Sequence, residues 1–418
     1  MFTIIKQLAR KKVLINGIWL YGLQFANMIL PLLTLPYVTR VLGLNMYGIF
    51  SIALNMVGYL QVLVEYGFCM SATRDVAVGD DCNLNLKFTT VVYSRILLAL
   101  FGIGIGLFYV AFSNLEAQLY SSVVVLFLCL IGYCVEMTWL FQGKQEMKFI
   151  SIISIISRTT STILILLLVN SEKDLVLYCL LYSVSPFLNG CIGCCWAKYK
   201  YSLKFVKISF GDIVRELKSG FYVFTIQLSS RVFSSVGVTF LGLFSTFEEV
   251  GALAAIQKIP YIIIMLWSPI NQVIFPISSK HFSCSFKEGL VFIHSIKKYV
   301  LLIFTIFSIS LILSRNYVVE QIFGVEYTSY SYWMIPLILW VIISIDNNFL
   351  GIQTLLASRH DKEYGKLFQI SVMVTIIVNF ILSYFFKGFG AALSPLVSEI
   401  IFNVLLRRLI RSILIINA

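Results

Sequence analysis

Apolar runs of about twenty residues recur from one end of the chain to the other, separated by short joints marked by polar residues, glycine or proline. A run of that length crosses roughly 30 Å of hydrocarbon as a helix. The pattern predicts spans near 14–38, 48–68, 89–111, 118–141, 149–169 and 175–196 in the first half. It predicts others near 219–243, 250–271, 297–314, 332–355, 365–386 and 389–408 in the second. The runs are continuous rather than alternating, which excludes a β-barrel. The expected fold is an all-α polytopic membrane protein of about twelve transmembrane helices.

Composition agrees. The 418 residues are 59% hydrophobic and 12% charged, whereas a soluble domain carries about 25% charged residues. The net charge of +12 could suggest nucleic acid, but its distribution gives another reason. With the amino terminus cytoplasmic and alternating spans, the inner segments hold 24 cations, from Lys6, Arg10, Lys11 and Lys12 at the start to Arg407, Arg408 and Arg411 at the end. The outer segments hold 4, namely Arg40, Lys173, Arg315 and Lys387. The bias places both termini inside by the positive-inside rule, and no nucleic-acid partner is expected. MFTIIKQLARKK precedes a run too long for a signal-peptide core, so the first span is read as uncleaved. Cys191, Cys194 and Cys195 have C-x-x-C spacing, but they lie in apolar helix without histidine or acidic partners. They are read as structural, and no metal or cofactor is expected.

A shift of 203 residues lays Gly17 on Gly220, Gln24 on Gln227 and Gly48 on Gly251 without a gap. At a shift of 210, Glu136, Trp139 and Leu140 meet Asp346, Phe349 and Leu350. The matches together predict two six-helix halves, and an even number of spans makes the repeat parallel. Parallel repeats are common in transporters, with the substrate site near the midplane between them. The expected organisation is an amino-terminal lobe over 1–196, a basic amphipathic linker over 197–218 on the inner membrane surface, and a carboxy-terminal lobe over 219–418, the lobes surrounding a central cavity. The two loops expected to be longest, at about 278–296 and 315–331, are too short to be domains.

Four cations remain inside spans: Arg95, Arg158, Arg231 and Lys258. A central Arg or Lys costs about 2.5–3.5 kcal/mol on insertion scales, so each needs water, a partner or a function. Gln227, Ser230, Arg231, Ser234 and Ser235 form one polar helix face, matched by the uncharged Asn16, Gln24 and Asn27 on the first helix. That face suits a wet cavity, with a structural ion pair as the alternative for Arg231. Arg95 and Arg158 could instead snorkel to an interface. The embedded acids are Glu65, Glu136, Asp346 and Glu399. Asp346 is offered as the neutralising partner of Arg231 or Lys258, or with Glu136 as a carrier of coupling H+ or Na+. An excess of buried cations points to an anionic substrate such as a phosphate.

LPYVTRVLGLNMYGIFSIA resembles the first-loop signature of the polysaccharide-unit flippases of the multidrug/oligosaccharidyl-lipid/polysaccharide exporter superfamily. The matching residues are Pro36, Tyr37, Arg40, Val41, Leu42, Gly43, Tyr47 and Gly48, with Leu44 where that family often has proline. EYGF at Glu65–Phe68, followed by SATRDVA, and WLFQGKQEMKF from Trp139 look like the same family. The prolines are expected to bend the first helix, the glycines to permit a tight turn and Arg40 to cap its outer end.

The resemblance implies a flippase that carries polyprenyl-pyrophosphate-linked oligosaccharide across the bacterial inner membrane for O-antigen or capsule assembly. It would work by alternating access, among membrane lipids and beside partner polymerases or chain-length proteins. Arg231 and Lys258 would hold the pyrophosphate, Arg158 or Arg95 would assist, and Gln24, Asn27 and Gln227 would meet sugar hydroxyls. The rivals are a small-molecule exporter of the same architecture, for which the inner charges are too basic, and a membrane polymerase or glycosyltransferase, for which a catalytic carboxylate cluster is missing. The reading is therefore of a transporter, not an enzyme.

Overall fold

The computed structural model describes residues 2–78, 84–112 and 116–416. The side chains of residues 2–14, 111, 415 and 416, Lys6, Arg10, Lys11 and Lys12 among them, lie outside the described residues. Among the described residues every regular element is helical. Nine stretches of the described residues are long and apolar enough to cross a membrane. Two of them, Ile15–Val78 and Asp361–Leu414, each contain two of the expected spans. The expected seventh span lies on a further helix, whose hydropathy is lowered by Gln227, Arg231 and the serines around them.

Helix α1 (Phe2–Glu65) keeps helical dihedrals through Pro31 and Pro36 and leaves them at Gly43, with φ 69° and ψ 180°. The tight turn expected of the glycines thus falls on Gly43, whose missing Cβ makes positive φ inexpensive. Beside each proline, whose ring removes a backbone donor, a threonine hydroxyl donates to a carbonyl one turn back. Thr34 Oγ1 reaches Leu30 at 3.2 Å and Thr39 Oγ1 reaches Leu35 at 2.9 Å. Arg40 is exposed three residues before the break, while Tyr47 and Gly48 are buried just after it.

The chain divides into two compact units, Met1–Val232 and Phe233–Ala418. In the first, α1 is followed by α2 (Phe68–Val78), α3 (Leu84–Phe112), α4 (Ala117–Cys134), α5 (Thr138–Gly143), α6 (Met147–Leu168), α7 (Leu175–Tyr201) and the start of α8 (Phe210–Phe244). α4 packs on α7, and α1 packs on both α4 and α6. Tyr66 (φ 43°) and Gly67 (φ 76°) form a sharp turn from α1 into α2. A Cβ at Gly67 would lie 2.7 Å from the Val223 side chain of α8, so only glycine allows this approach. Around the short helices α2 and α5 sits an apolar core of Phe68, Val76, Phe88, Met137, Trp139 and Phe141. Thr73 Oγ1 bonds the Trp139 carbonyl at 3.1 Å there. The two further sequence pieces that looked familial, SATRDVA and WLFQGKQ, therefore pack against each other.

The segment 197–218 comprises the end of α7, a non-helical stretch over 202–209 and the first turns of α8. The non-helical stretch is tied to α3: the Lys204 and Val206 amides donate to Asn85 Oδ1 at 2.9 Å and Thr89 Oγ1 at 3.1 Å.

The second unit takes the rest of α8, then α9 (Phe247–Ile256), α10 (Lys258–Cys284), α11 (Phe286–Leu313), α12 (Arg315–Phe323), a 3-10 stretch (Val325–Trp333), α13 (Met334–Leu350), a π-helical turn (Gly351–Leu356) and α14 (Asp361–Ile416). Both segments expected to be long loops are mainly helical: α10 and α11 are separated by Ser285 alone, and 315–331 is α12 with most of the 3-10 stretch. α14 breaks at Lys387, with φ 49° and ψ −128°. Glycine cannot be replaced at the next position, because a Cβ at Gly388 would enter the Trp333 ring. The Gly388 amide instead donates to Glu249 Oε2 at 2.9 Å. The π turn is held by Gln353, which donates to the Asn271 carbonyl at 2.9 Å and accepts from Ser278 at 2.8 Å.

Candidate functional site

In the first unit the polar side chains of several helices converge. The second half of α1 carries Asn55, Gly58, Gln61 and Glu65 at helical spacing on one face. Glu65 accepts a hydrogen bond from Gln61 at 2.7 Å. Glu136 lies in the joint between α4 and α5 and accepts from Thr138 at 2.7 Å and Asn189 of α7 at 3.3 Å. Glu65 lies within electrostatic reach of Glu136, Arg95 and Arg231. Tyr182 of α7 lies within reach of Arg158 and Arg231. Three arginines and two carboxylates therefore share one region of this unit.

The arginines are held differently. Arg95 is 2% exposed. Its Nη1 donates to the carbonyls of Tyr133 at 3.1 Å and Glu136 at 2.7 Å, and its guanidinium lies 5.7 Å from the centre of the Phe68 ring. The Tyr133 carbonyl lies in the last turn of α4, where helix geometry leaves acceptors short of internal partners, and the Glu136 carbonyl lies in the joint that follows. Arg95, read from sequence as an assisting substrate ligand, is here a brace for the α4–α5 joint, because burial makes the nearest carbonyls its solvent. Arg158 is exposed on α6. Arg231 is half-buried on α8, with its guanidinium 5.8 Å from the centre of the Tyr59 ring.

The remaining sequence candidates divide between the units. Gln227 donates to Cys69 Sγ at 3.2 Å. Gln24 is exposed and Asn27 half-buried on the first half of α1, and neither joins the cluster through the described hydrogen bonds. Lys258, in the second unit, opens α10 and is exposed. Asp346 of α13 takes Lys297 of α11 and Arg407 of α14 as partners, the latter at 2.7 Å, and accepts from Asn403 at 2.8 Å. The sequence reading offered it to Arg231 or Lys258. Both its actual partners count among the cations that the sequence reading assigned to inner segments, and α11 and α14 bring them to it. Next to it Asn347 bonds Glu399 and Asn403. The second unit also encloses a cavity of about 40 Å³ bordered by Ser234, Gln257, Thr375 and Asn379.

Sequence reasoning missed Gly58, Tyr59, Gln61, Tyr182 and Asn189. The available signal was the run of small and polar positions at 55, 58, 61 and 65 within an apolar span.

Residues 13–282 match the family described as "Polysaccharide biosynthesis protein". The chain belongs to that family. A family relative from Escherichia coli (strain K12), named "Putative O-antigen transporter", is 30% identical over 359 residues, which cover 84% of this chain and 85% of that protein. A protein of the same name from Shigella dysenteriae is 26% identical over 266 residues, covering 63% and 67% of the two chains. Among solved structures, the lipid II flippase MurJ in an inward closed conformation aligns with a TM-score of 0.68 at 13% identity, over 95% of this chain and 87% of that one. An inward-facing multidrug resistance MATE family transporter of the MOP superfamily aligns with a TM-score of 0.64 at 11% identity, over 94% and 100%. At such identities the likeness is one of fold. The resemblance read from the Pro36–Gly48 motif holds, and the chain is a multi-pass α-helical membrane protein with the flippase and exporter fold. Its relatives are named as transporters and flippases, in line with a transporter rather than an enzyme.

Proposed function

We propose that this protein is a flippase that moves polyprenyl-pyrophosphate-linked oligosaccharide repeat units across the bacterial inner membrane for O-antigen or related surface-polysaccharide assembly. The observation that carries the reading is Arg231, a half-buried guanidinium in a membrane helix beside Tyr59 and within electrostatic reach of Tyr182, in a chain akin to proteins named as O-antigen transporters. A phosphate group accepts two parallel hydrogen bonds from a guanidinium, and the low dielectric strengthens them. A wet polar lining substitutes for the hydration that the pyrophosphate and sugars would lose, while the prenyl tail stays in lipid. Arg158 supports the pyrophosphate; Lys258, Gln227, Gln24 and Asn27 remain candidate contacts. Arg95 is left out, since its guanidinium is already bound to backbone.

The proposed organisation keeps six spans over 1–196, the basic segment 197–218 at the cytoplasmic surface, and six spans over 219–418, working by alternating access. Of the two acids considered for H+ or Na+ coupling, Glu136 is favoured. The described hydrogen bonds to its carboxylate come from neutral groups, whereas the Asp346 carboxylate is fixed by two cations. Polymerase and chain-length proteins would consume the delivered units.

Deletion in the native bacterium tests the reading, with long surface polymer and lipid-linked single units scored together. The expected result is loss of polymer while intact units accumulate on the inner leaflet. Arg231→Ala should fail to restore polymer at normal protein level, and Arg231→Lys should restore it in part. Normal polymer with new sensitivity to a toxic small molecule would instead favour an exporter of the same fold.

A further inference from the structure

Gly58 is buried in the second half of α1, on the face that carries Gln61 and Glu65. A Cβ built there would collide with the Arg231 guanidinium itself, at Nη2 and the central carbon, rather than with backbone. The neighbouring residue, Tyr59, places its ring 5.8 Å from the same guanidinium. A helix residue without a side chain followed by an aromatic one makes a shallow seat: the guanidinium lies against bare backbone, with the electron-rich face of a ring beside it. Glycine in a helix interior otherwise costs about 1 kcal/mol relative to alanine. Its presence here, in a well-formed helix with no positive φ at this position, calls for a local cause, and the guanidinium occupies the space that a methyl group would fill.

We propose that Gly58 is a positioning residue for Arg231, holding the guanidinium at a fixed depth and orientation for a pyrophosphate-bearing lipid. This inference rests on the flippase reading above. Any side chain at 58 would push the flexible tip of Arg231 off its seat while leaving α1 intact, so the fault would appear in anion binding rather than in folding. An arginine has several rotatable bonds, and a tip freed to sample many positions loses the pre-organisation that makes bidentate binding tight.

The test is a double-mutant cycle on the purified full-length protein, with farnesyl pyrophosphate as probe and thermal unfolding as the control for folding. Arg231→Ala should weaken probe binding strongly. Gly58→Ala should weaken it on the order of 10-fold, the scale of one charge-assisted hydrogen bond, with unfolding temperature unchanged or raised. In the Arg231→Ala background the same change at 58 should have no further effect, because the group it displaces is gone. An equal loss in both backgrounds, or no loss from Gly58→Ala while Arg231→Ala is impaired, would overturn the seat alone. Normal probe binding by Arg231→Ala would overturn the site reading and the seat with it. If Gly58→Ala fails to fold, the double variant decides: folding there assigns the clash to the guanidinium and supports the proposal, and failure there assigns it to backbone and ends it.

Discussion

Arg95 and Arg231 show how one residue type serves two ends in a membrane interior. Both are arginines in apolar spans, and insertion cost alone treats them alike. Their surroundings separate them. Arg95 is enclosed, with its guanidinium against carbonyls at the joint between α4 and α5; Arg231 remains half-buried beside the Tyr59 ring. Removing Arg95 takes a charged donor from the Tyr133 and Glu136 carbonyls, and a hydrogen bond to a charged group is worth about 1.5–3 kcal/mol. Arg95→Ala should therefore lower the unfolding temperature in detergent and reduce protein abundance, with any loss of transport proportional to the loss of protein. Transport lost at full abundance would show that Arg95 meets substrate. Periodicity finds that a cation is embedded, but it carries no information about which carbonyls lie opposite, so this distinction was not legible in the sequence.

At the scale of elements, the helices were largely legible because each must be apolar over a fixed length. The joints were less so. Pro31 and Pro36 advertise a bend, yet the departure from helical dihedrals is at Gly43, one of the glycines expected to permit a tight turn; proline constrains its own φ to a value that a helix accepts, whereas glycine alone tolerates the far side of the map. The short helices α2 and α5, and the π turn after α13, were invisible because an apolar run has the same composition whether it winds regularly or not. Contacts between helices lay beyond periodicity as well. Gly132 of α4 faces Gly190 and Pro186 of α7 so closely that a Cβ at either glycine would enter the other helix's backbone. Small residues allow this approach where no hydrophobic effect drives helices together in lipid. Backbone cannot give way as a side-chain tip can. Gly132→Val should prevent assembly of the first unit, costing several kcal/mol on the scale of an overpacked core, and should appear as degradation or aggregation during purification. Gly193→Val, with ordinary van der Waals room at 4.0 Å from Met137, should be tolerated.

For the whole molecule, the uneven distribution of lysine and arginine is the most economical signal in the sequence, although the partners of Asp346 were sought elsewhere, at Arg231 or Lys258. Lys297 and Arg407, assigned to inner segments by position alone, meet at that one carboxylate. The assignment makes a global prediction: alkaline phosphatase fused after Ala418 should be inactive, and the same reporter fused at Lys387 active. The opposite pattern would invert the topology. The joints at Gly43 and Lys387 have a consequence of another kind. Each leaves helical geometry at a single residue, with helix on both sides. Proteases bind their substrates as extended strands several residues long, and neither joint can supply one without unwinding turns of helix. Under the proposed topology both joints face the periplasm, so the envelope's own proteases would find little to grip at either place, and these two joints would owe their durability to having no loop to cut rather than to a rigid one.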